Sequence, residues 1–131
     1  MGKYVTNDIV KTCILLLISC SVMVTAWYSH LKFESWSIGV AILFSWGLAF
    51  FEYLFMVPAN RIGTKAGLSP AKLRGIAELF ILTAFIIFQT FVLGANLEMN
   101  HIIGFGMVLM GVCVVLFGPF RKVLYSSKKS K

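Results

Sequence analysis

Acidic side chains are scarce in this chain. Among 131 residues there are five Asp and Glu, and charged residues of both signs make up 13%. Soluble domains carry nearer ~25%, so an ordinary water-soluble fold is excluded. Long polar linkers are missing, so nothing divides the chain, and residues 1–131 read as a single domain. The three cysteines, Cys13, Cys20 and Cys113, lie in apolar runs and none forms a CxxC. That spacing argues against a disulfide framework or a thiolate metal site and for free buried thiols. His30 and His101 each have one carboxylate nearby, Glu34 and Glu98. Two ligands in a turn are too few to hold a metal, and helix-end positions fit an interfacial role. GxSxG, HExxH, P-loop and GxGxxG patterns are absent. No enzymatic activity, metal or cofactor is therefore expected.

What the chain does hold is apolar: 59% of its residues are hydrophobic. From Thr12 to Leu31 there is no Asp, Glu, Lys or Arg, and a bilayer-spanning helix needs ~20 such residues. Trp27 and Tyr28 close this run as interfacial anchors do. It exceeds a signal-peptide core and no small-x-small cleavage site follows, so it is expected to stay as a first helix. The expected fold is an all-α membrane protein. Its four transmembrane helices cover about 9–29, 36–57, 70–93 and 102–118 in a compact helical bundle. Pro58 is expected to end the second helix, leaving Ala59 to Ser69 as a loop rich in breakers. Ser69 then Pro70 read as an N-cap and first helical residue. Pro119 and Arg121–Lys122 mark the exit of the fourth helix, followed by a short basic tail, 121–131.

The net charge of +7 resembles a nucleic-acid signal. Its placement argues for topology instead, with the lipid bilayer as partner and no nucleic acid. Eleven of the twelve Lys and Arg fall in the N-terminal segment, the second connection with the start of the third helix, and the tail; Lys32 is the exception. The positive-inside rule then puts both termini in the cytoplasm.

The stretch SWGLAFFEYLFMVPANRIG, Ser45 to Gly63, organises the chain. It buries one carboxylate, Glu52, in a membrane helix, where ionised groups cost ~2.5–3.5 kcal/mol on insertion scales and mark function. On a helical wheel Ile38, Ala41, Ser45, Ala49 and Glu52 share one side, small enough for close packing or for a ligand or water. Trp46 and Tyr53 share a neighbouring face, either as an aromatic wall beside the carboxylate or as lipid-facing filler. On the third helix Glu78, Leu82, Phe85 and Gln89 share a side. Arg74 lies one turn before Glu78, at ion-pairing distance along a helix. Glu52 and Glu78 are expected at a similar shallow depth, close enough to approach one another. Carboxylates in apolar surroundings hold protons more tightly, as proton coupling requires. The alternative is that Glu52 pairs with Arg61 or Arg74 and locks the loop. Thr12, Ser19 and Ala26, and likewise Gly104, Gly111 and Gly118, repeat every seven residues as packing stripes.

The FEY–VPANRIG segment, then LSPAKLRGIAELFIL, then a Gly-rich fourth span resemble a known group. It is the small four-helix bacterial membrane proteins of unknown function placed in the drug/metabolite transporter superfamily. The match runs from the first helix to Phe117. Glu52, Tyr53, Pro58, Ala59, Asn60, Arg61, Ile62, Gly63, Leu73 and Glu78 stand at matching positions. Ala77 departs from a commoner Gln, and LGANLEMNH from a Gly-Glu-Pro-like turn. The resemblance implies a multi-pass protein of the bacterial inner membrane, related to transporters, with no substrate specified. The small multidrug resistance carriers of that superfamily can pair antiparallel, which needs balanced loop charges. The eleven-to-one bias here predicts one orientation, so a symmetric homodimer would be parallel. The functional expectation is a small-solute carrier, coupled to protons through Glu52 or Glu78. The alternatives are a non-transporting structural or partner-binding subunit and, behind it, a passive oligomeric channel.

Overall fold

The computed structural model describes residues 2–118, which form four α-helices and no strand. They are α1, Gly2–Tyr28; α2, Ile38–Lys65; α3, Pro70–Phe91; and α4, Met99–Phe117. Three of the four are long and apolar enough to cross a membrane: α1 with the short 3-10 turn after it, α2 and α4. α3, which carries Lys72, Arg74, Glu78 and Gln89, is not among the three. The expected basic tail, 121–131, lies outside the described residues.

Local chemistry explains the starts of these helices. Ser37 caps α2, its Oγ accepting from the Val40 N–H at 3.4 Å. Ser69 does the same for Lys72 at 3.3 Å, with Pro70 at the first turn where no donor is needed. α4 starts at Met99, three residues before the expected Ile102, because the Glu98 N–H finds the His101 Nδ1 at 3.3 Å.

The expected stop at Pro58 is corrected by the structure. α2 runs through Pro58 to Lys65, so Ala59 to Lys65 are helix and the connection to α3 shrinks to 66–69. Proline removes one donor, the one that would reach the Leu54 carbonyl. Membrane helices tolerate that loss where neighbouring helices hold the segment. Here Ala59 and Gly63, just beyond the proline, are both buried.

α1 is the central helix. Its sevenfold stripe of Thr12, Ser19 and Ala26 is buried, as are Leu16, Cys20 and Val24 between them. Thr12 meets Gly63, and Ser19 meets Glu52, so α1 and α2 run antiparallel. Cys20 meets Ala77 and Tyr28 meets Phe85, so α1 and α3 run parallel. α3 and α4 are antiparallel, joined by Gly75 against Leu116 and Phe85 against Phe105. The topology is up-down-up-down.

The helices do not close into the compact bundle expected from sequence. α4 packs on α3 and touches neither α1 nor α2 among the described residues. Lipid tails satisfy apolar side chains as well as protein does, so nothing forces an apolar helix inward. Val112 is the buried residue of α4.

The glycine stripe of α4 is correspondingly open. A Cβ at Gly104 or Gly111 would meet nothing within 4 Å, whereas one at Gly75 would stand 3.1 Å from Leu116 Cδ2. Gly104→Ala and Gly111→Ala should therefore be neutral or stabilising, by up to ~1 kcal/mol from helix propensity. Gly75→Ala should loosen α4. Denaturation in mixed detergent micelles, followed by helical circular dichroism, checks both.

Two ends of the molecule differ in chemistry. The Thr12–Gly63 contact brings Lys11 level with Arg61 and Lys65, and Leu73 against Gly63 brings the start of α3, with Lys72 and Arg74, to the same end. At the other end, around the α1–α2 turn, aromatic rings gather. Phe33 stacks on Trp36 at 4.5 Å, and Trp36 meets Phe44 at 5.0 Å.

Candidate functional site

Glu52 lies in the middle of α2, fourteen residues after Ile38 and thirteen before Lys65, and is 1% exposed. The shallow position expected for it rested on a helix ending at Pro58. The helix continues past Pro58, so Glu52 stands mid-helix. At 1.5 Å per residue the 28 residues of α2 span ~42 Å. That matches a bilayer with its headgroups, ~40–45 Å.

One oxygen of Glu52 is occupied. The Ser19 hydroxyl of α1 donates to Oε1 at 2.7 Å. The other, Oε2, is buried and has no hydrogen-bond partner. Cys20, beside Ser19, turns to α3 and donates to the Ala77 carbonyl at 3.5 Å. Leu16, Cys20, Ala59, Leu73 and Ala77 form the apolar cluster along this seam, with Met56 packed against it. Sequence inspection put Ser19 in a packing stripe but not beside Glu52. The signal was present in the shared sevenfold spacing, Ser19 to Ala26 and Glu52 to Ser45, but needed the helix register to be read.

Neither arginine considered as a partner reaches Glu52. Arg74 Nη2 donates to Glu78 Oε2 at 2.7 Å, with the two side chains 72% and 33% exposed. Arg61 is exposed on α2. Among the described residues, Glu52 has no cationic partner within salt-bridge distance.

The two carboxylates face different seams. Glu78 and Arg74 line a groove between α3 and α4, with Gly111, Val112 and Val115 opposite. Glu52 faces α1. Trp46 and Tyr53 stand ~100–120° around α2 from Glu52, and they are 70% and 60% exposed. They do not wall the carboxylate. Trp46→Leu and Tyr53→Phe should therefore leave any ligand response that runs through Glu52 within about twofold of wild type. A thermal-shift titration on each variant measures this. Gln89 is half-buried near the end of α3, away from Glu52.

The loop motif resolves into one structural residue and several surface ones. Pro58, Asn60 and Arg61 are exposed, while Gly63 is buried. A Cβ at Gly63 would stand 2.5 Å from Leu73 Cδ2 and 2.9 Å from Thr12 Cγ2. Only hydrogen fits where the three helices cross. Asn60, Arg74 and Thr64 border a groove of about 500 Å³ between α2 and α3, floored by Leu73 and Ala77.

These features define a polytopic helical membrane protein with a carboxylate buried between α1 and α2. The chain belongs to the DMT_6 family, a domain family of unknown function (DUF486) grouped with the drug/metabolite transporter superfamily, matched over residues 12–116. No curated protein and no solved structure gives a significant match.

Proposed function

We propose that the chain is a carrier for a small solute, coupled to protons at Glu52. The observation that carries this reading is the state of that carboxylate. It is 1% exposed at the middle of α2, held by one hydroxyl, with its second oxygen unpartnered. A buried charge without a counterion is costly, and packing alone gives no reason for one. A group that must release and take up a proton or a cationic solute needs a free oxygen. Glu78, already paired with Arg74, is the weaker candidate.

In this reading α3 also crosses the membrane, its charged first turns lying at the interface. The end bearing Lys11, Arg61, Lys65, Lys72 and Arg74 faces the cytoplasm of a bacterial inner membrane, with both termini on that side. If two copies associate symmetrically, they are parallel.

A thermal-shift screen of purified protein tests the proposal, using small metabolites and organic cations at two pH values beside Glu52→Gln. Ligands that bind only the native state raise its apparent stability. A pH-sensitive ligand lost in Glu52→Gln is the expected result. A ligand that stabilises both proteins equally would argue against Glu52 as the site.

One observation favours a second reading, a non-transporting subunit of a larger assembly. α4 is held by α3 alone and leaves most of its surface open. That reading predicts stable co-purification with another membrane protein and indifference to Glu52→Gln.

A further inference from the structure

Among the described residues, three buried side-chain oxygens have no hydrogen-bond partner: Ser29 Oγ, Ser45 Oγ and Glu52 Oε2. Ser29 follows directly on α1; Ser45 and Glu52 lie on the α1-facing side of α2. Ser19 is level with Glu52, and Ala26, seven residues on, lines a groove with Ser45, seven residues back. The groove has a volume of about 450 Å³, and Trp27, His30, Ile38 and Ala41 complete its main walls. It opens at the α1–α2 turn, the end opposite the basic cluster.

Buried polar groups are almost always paired with protein or ordered water. An acyl chain could fill the groove but could not partner a hydroxyl. Water could, and the volume holds on the order of ten molecules at ~30 Å³ each. From Ser45 to Glu52 is two helical turns, ~10.5 Å, or about four hydrogen bonds end to end. On the α2 face between them stands Ala49, the smallest side chain that still leaves a Cβ.

Resting on the carrier reading, we infer that this groove is a hydrated path by which protons reach Glu52 from the end of the molecule opposite the basic cluster. Among the described residues, the titratable groups facing this seam are His30, which lines the groove, and Glu52, two turns beyond Ser45 on the same side of α2. Cys20 on α1 turns to Ala77, and Arg74, which borders both the α2–α3 and the α3–α4 grooves, is paired with Glu78. The path runs past Ser45, whose hydroxyl can accept from one water and donate to the next.

The test uses Ser45→Cys in sealed vesicles with a membrane-impermeant quaternary-ammonium methanethiosulfonate, which reacts where water reaches the thiol. Peptide mapping separates the new thiol from Cys13, Cys20 and Cys113. Leu43→Cys, 68% exposed on the outer side of α2, reports a lipid-facing position, and Ser35→Cys in the turn reports full access. Ser45→Cys should react at least about tenfold faster than Leu43→Cys, from the same side as Ser35→Cys. Ala41→Cys, on the same wall, repeats the measurement if Ser45→Cys does not fold. Reaction as slow as at Leu43→Cys, or only with a lipid-soluble maleimide, would mean acyl chains fill the groove and would overturn the path. Reaction from the basic side alone would overturn its direction. The labelling needs no transported solute. A labelled groove in a protein whose flux ignores Glu52→Gln refutes proton coupling at Glu52. An unlabelled groove with Glu52-dependent flux refutes the path alone.

Discussion

On the carrier reading, Glu52→Gln should slow solute flux in proteoliposomes by about tenfold or more, some 1.4 kcal/mol in barrier, and remove its dependence on a pH gradient. The substitution is close to isosteric. The new amide oxygen can still accept from Ser19, which now holds Oε1 at 2.7 Å, so the α1–α2 seam should survive. What that reading expects to disappear is proton exchange at Glu52. Glu78→Gln is the internal control. Its carboxylate is tied to Arg74 in an i,i+4 pair with a largely exposed partner, and such pairs contribute ~0.3–0.5 kcal/mol. Flux through Glu78→Gln should stay near wild type. If both variants behave alike, Glu52 is not the coupling group. Ser19→Ala separates structure from coupling. It strips Glu52 of its one hydrogen bond, at a cost of ~1–3 kcal/mol, while leaving the carboxylate in place, so stability should fall with the pH dependence of flux retained.

Gly63→Ala should destabilise the fold by ~1–3 kcal/mol, as overpacking of a filled site does. The larger Gly63→Leu should prevent the three helices from meeting at all. The added carbon would fall 2.5 Å from Leu73 Cδ2 and 2.9 Å from Thr12 Cγ2, and both neighbours are buried. Thr12 cannot easily turn away. It is β-branched and its hydroxyl donates to the Asp8 carbonyl at 2.8 Å. Leu73 can be shortened, so the check is a double-mutant cycle on detergent denaturation midpoints. Leu73→Ala alone should destabilise, and Gly63→Ala with Leu73→Ala should cost less than the two single changes summed. Strict additivity would show that the clash is not between these two residues.

The parts of this structure legible in the sequence are those set by local chemistry. Ser69 and Pro70 announce the start of α3 through a hydroxyl acceptor and a residue that needs no donor, and both act there. The apolar runs announce the helices themselves. Pro58 misleads because the rule that proline ends a helix assumes a chain that can turn to water. Inside a bilayer, losing one hydrogen bond costs less than unwinding a turn. The same misreading set Glu52 near the end of α2, where the structure has it mid-helix. Other features depend on rotation and register, which a single helix does not disclose. Trp46 and Tyr53 share a face, yet nothing in their spacing says that α1 packs ~100° away from it. Ser19 and Glu52 are 33 residues apart in sequence, and only the antiparallel register of α1 and α2 joins them. The compact bundle failed for a different reason. Gathering apolar helices together is a response to water, and α4 has no such reason to reach α1.

The attachment of α4 to α3 alone also bears on biogenesis. The chain emerges from the ribosome with its N-terminus first, and domains assemble in that order. Once Phe91 has been made, every partner of the Thr12–Gly63–Leu73 crossing and of the Ser19–Glu52 bond is present. Neither waits for Met99 to Phe117. The interior is complete before the last helix is inserted, so faults in α4 should spare the buried carboxylate, while faults in α1 between Thr12 and Ser19 should ruin it.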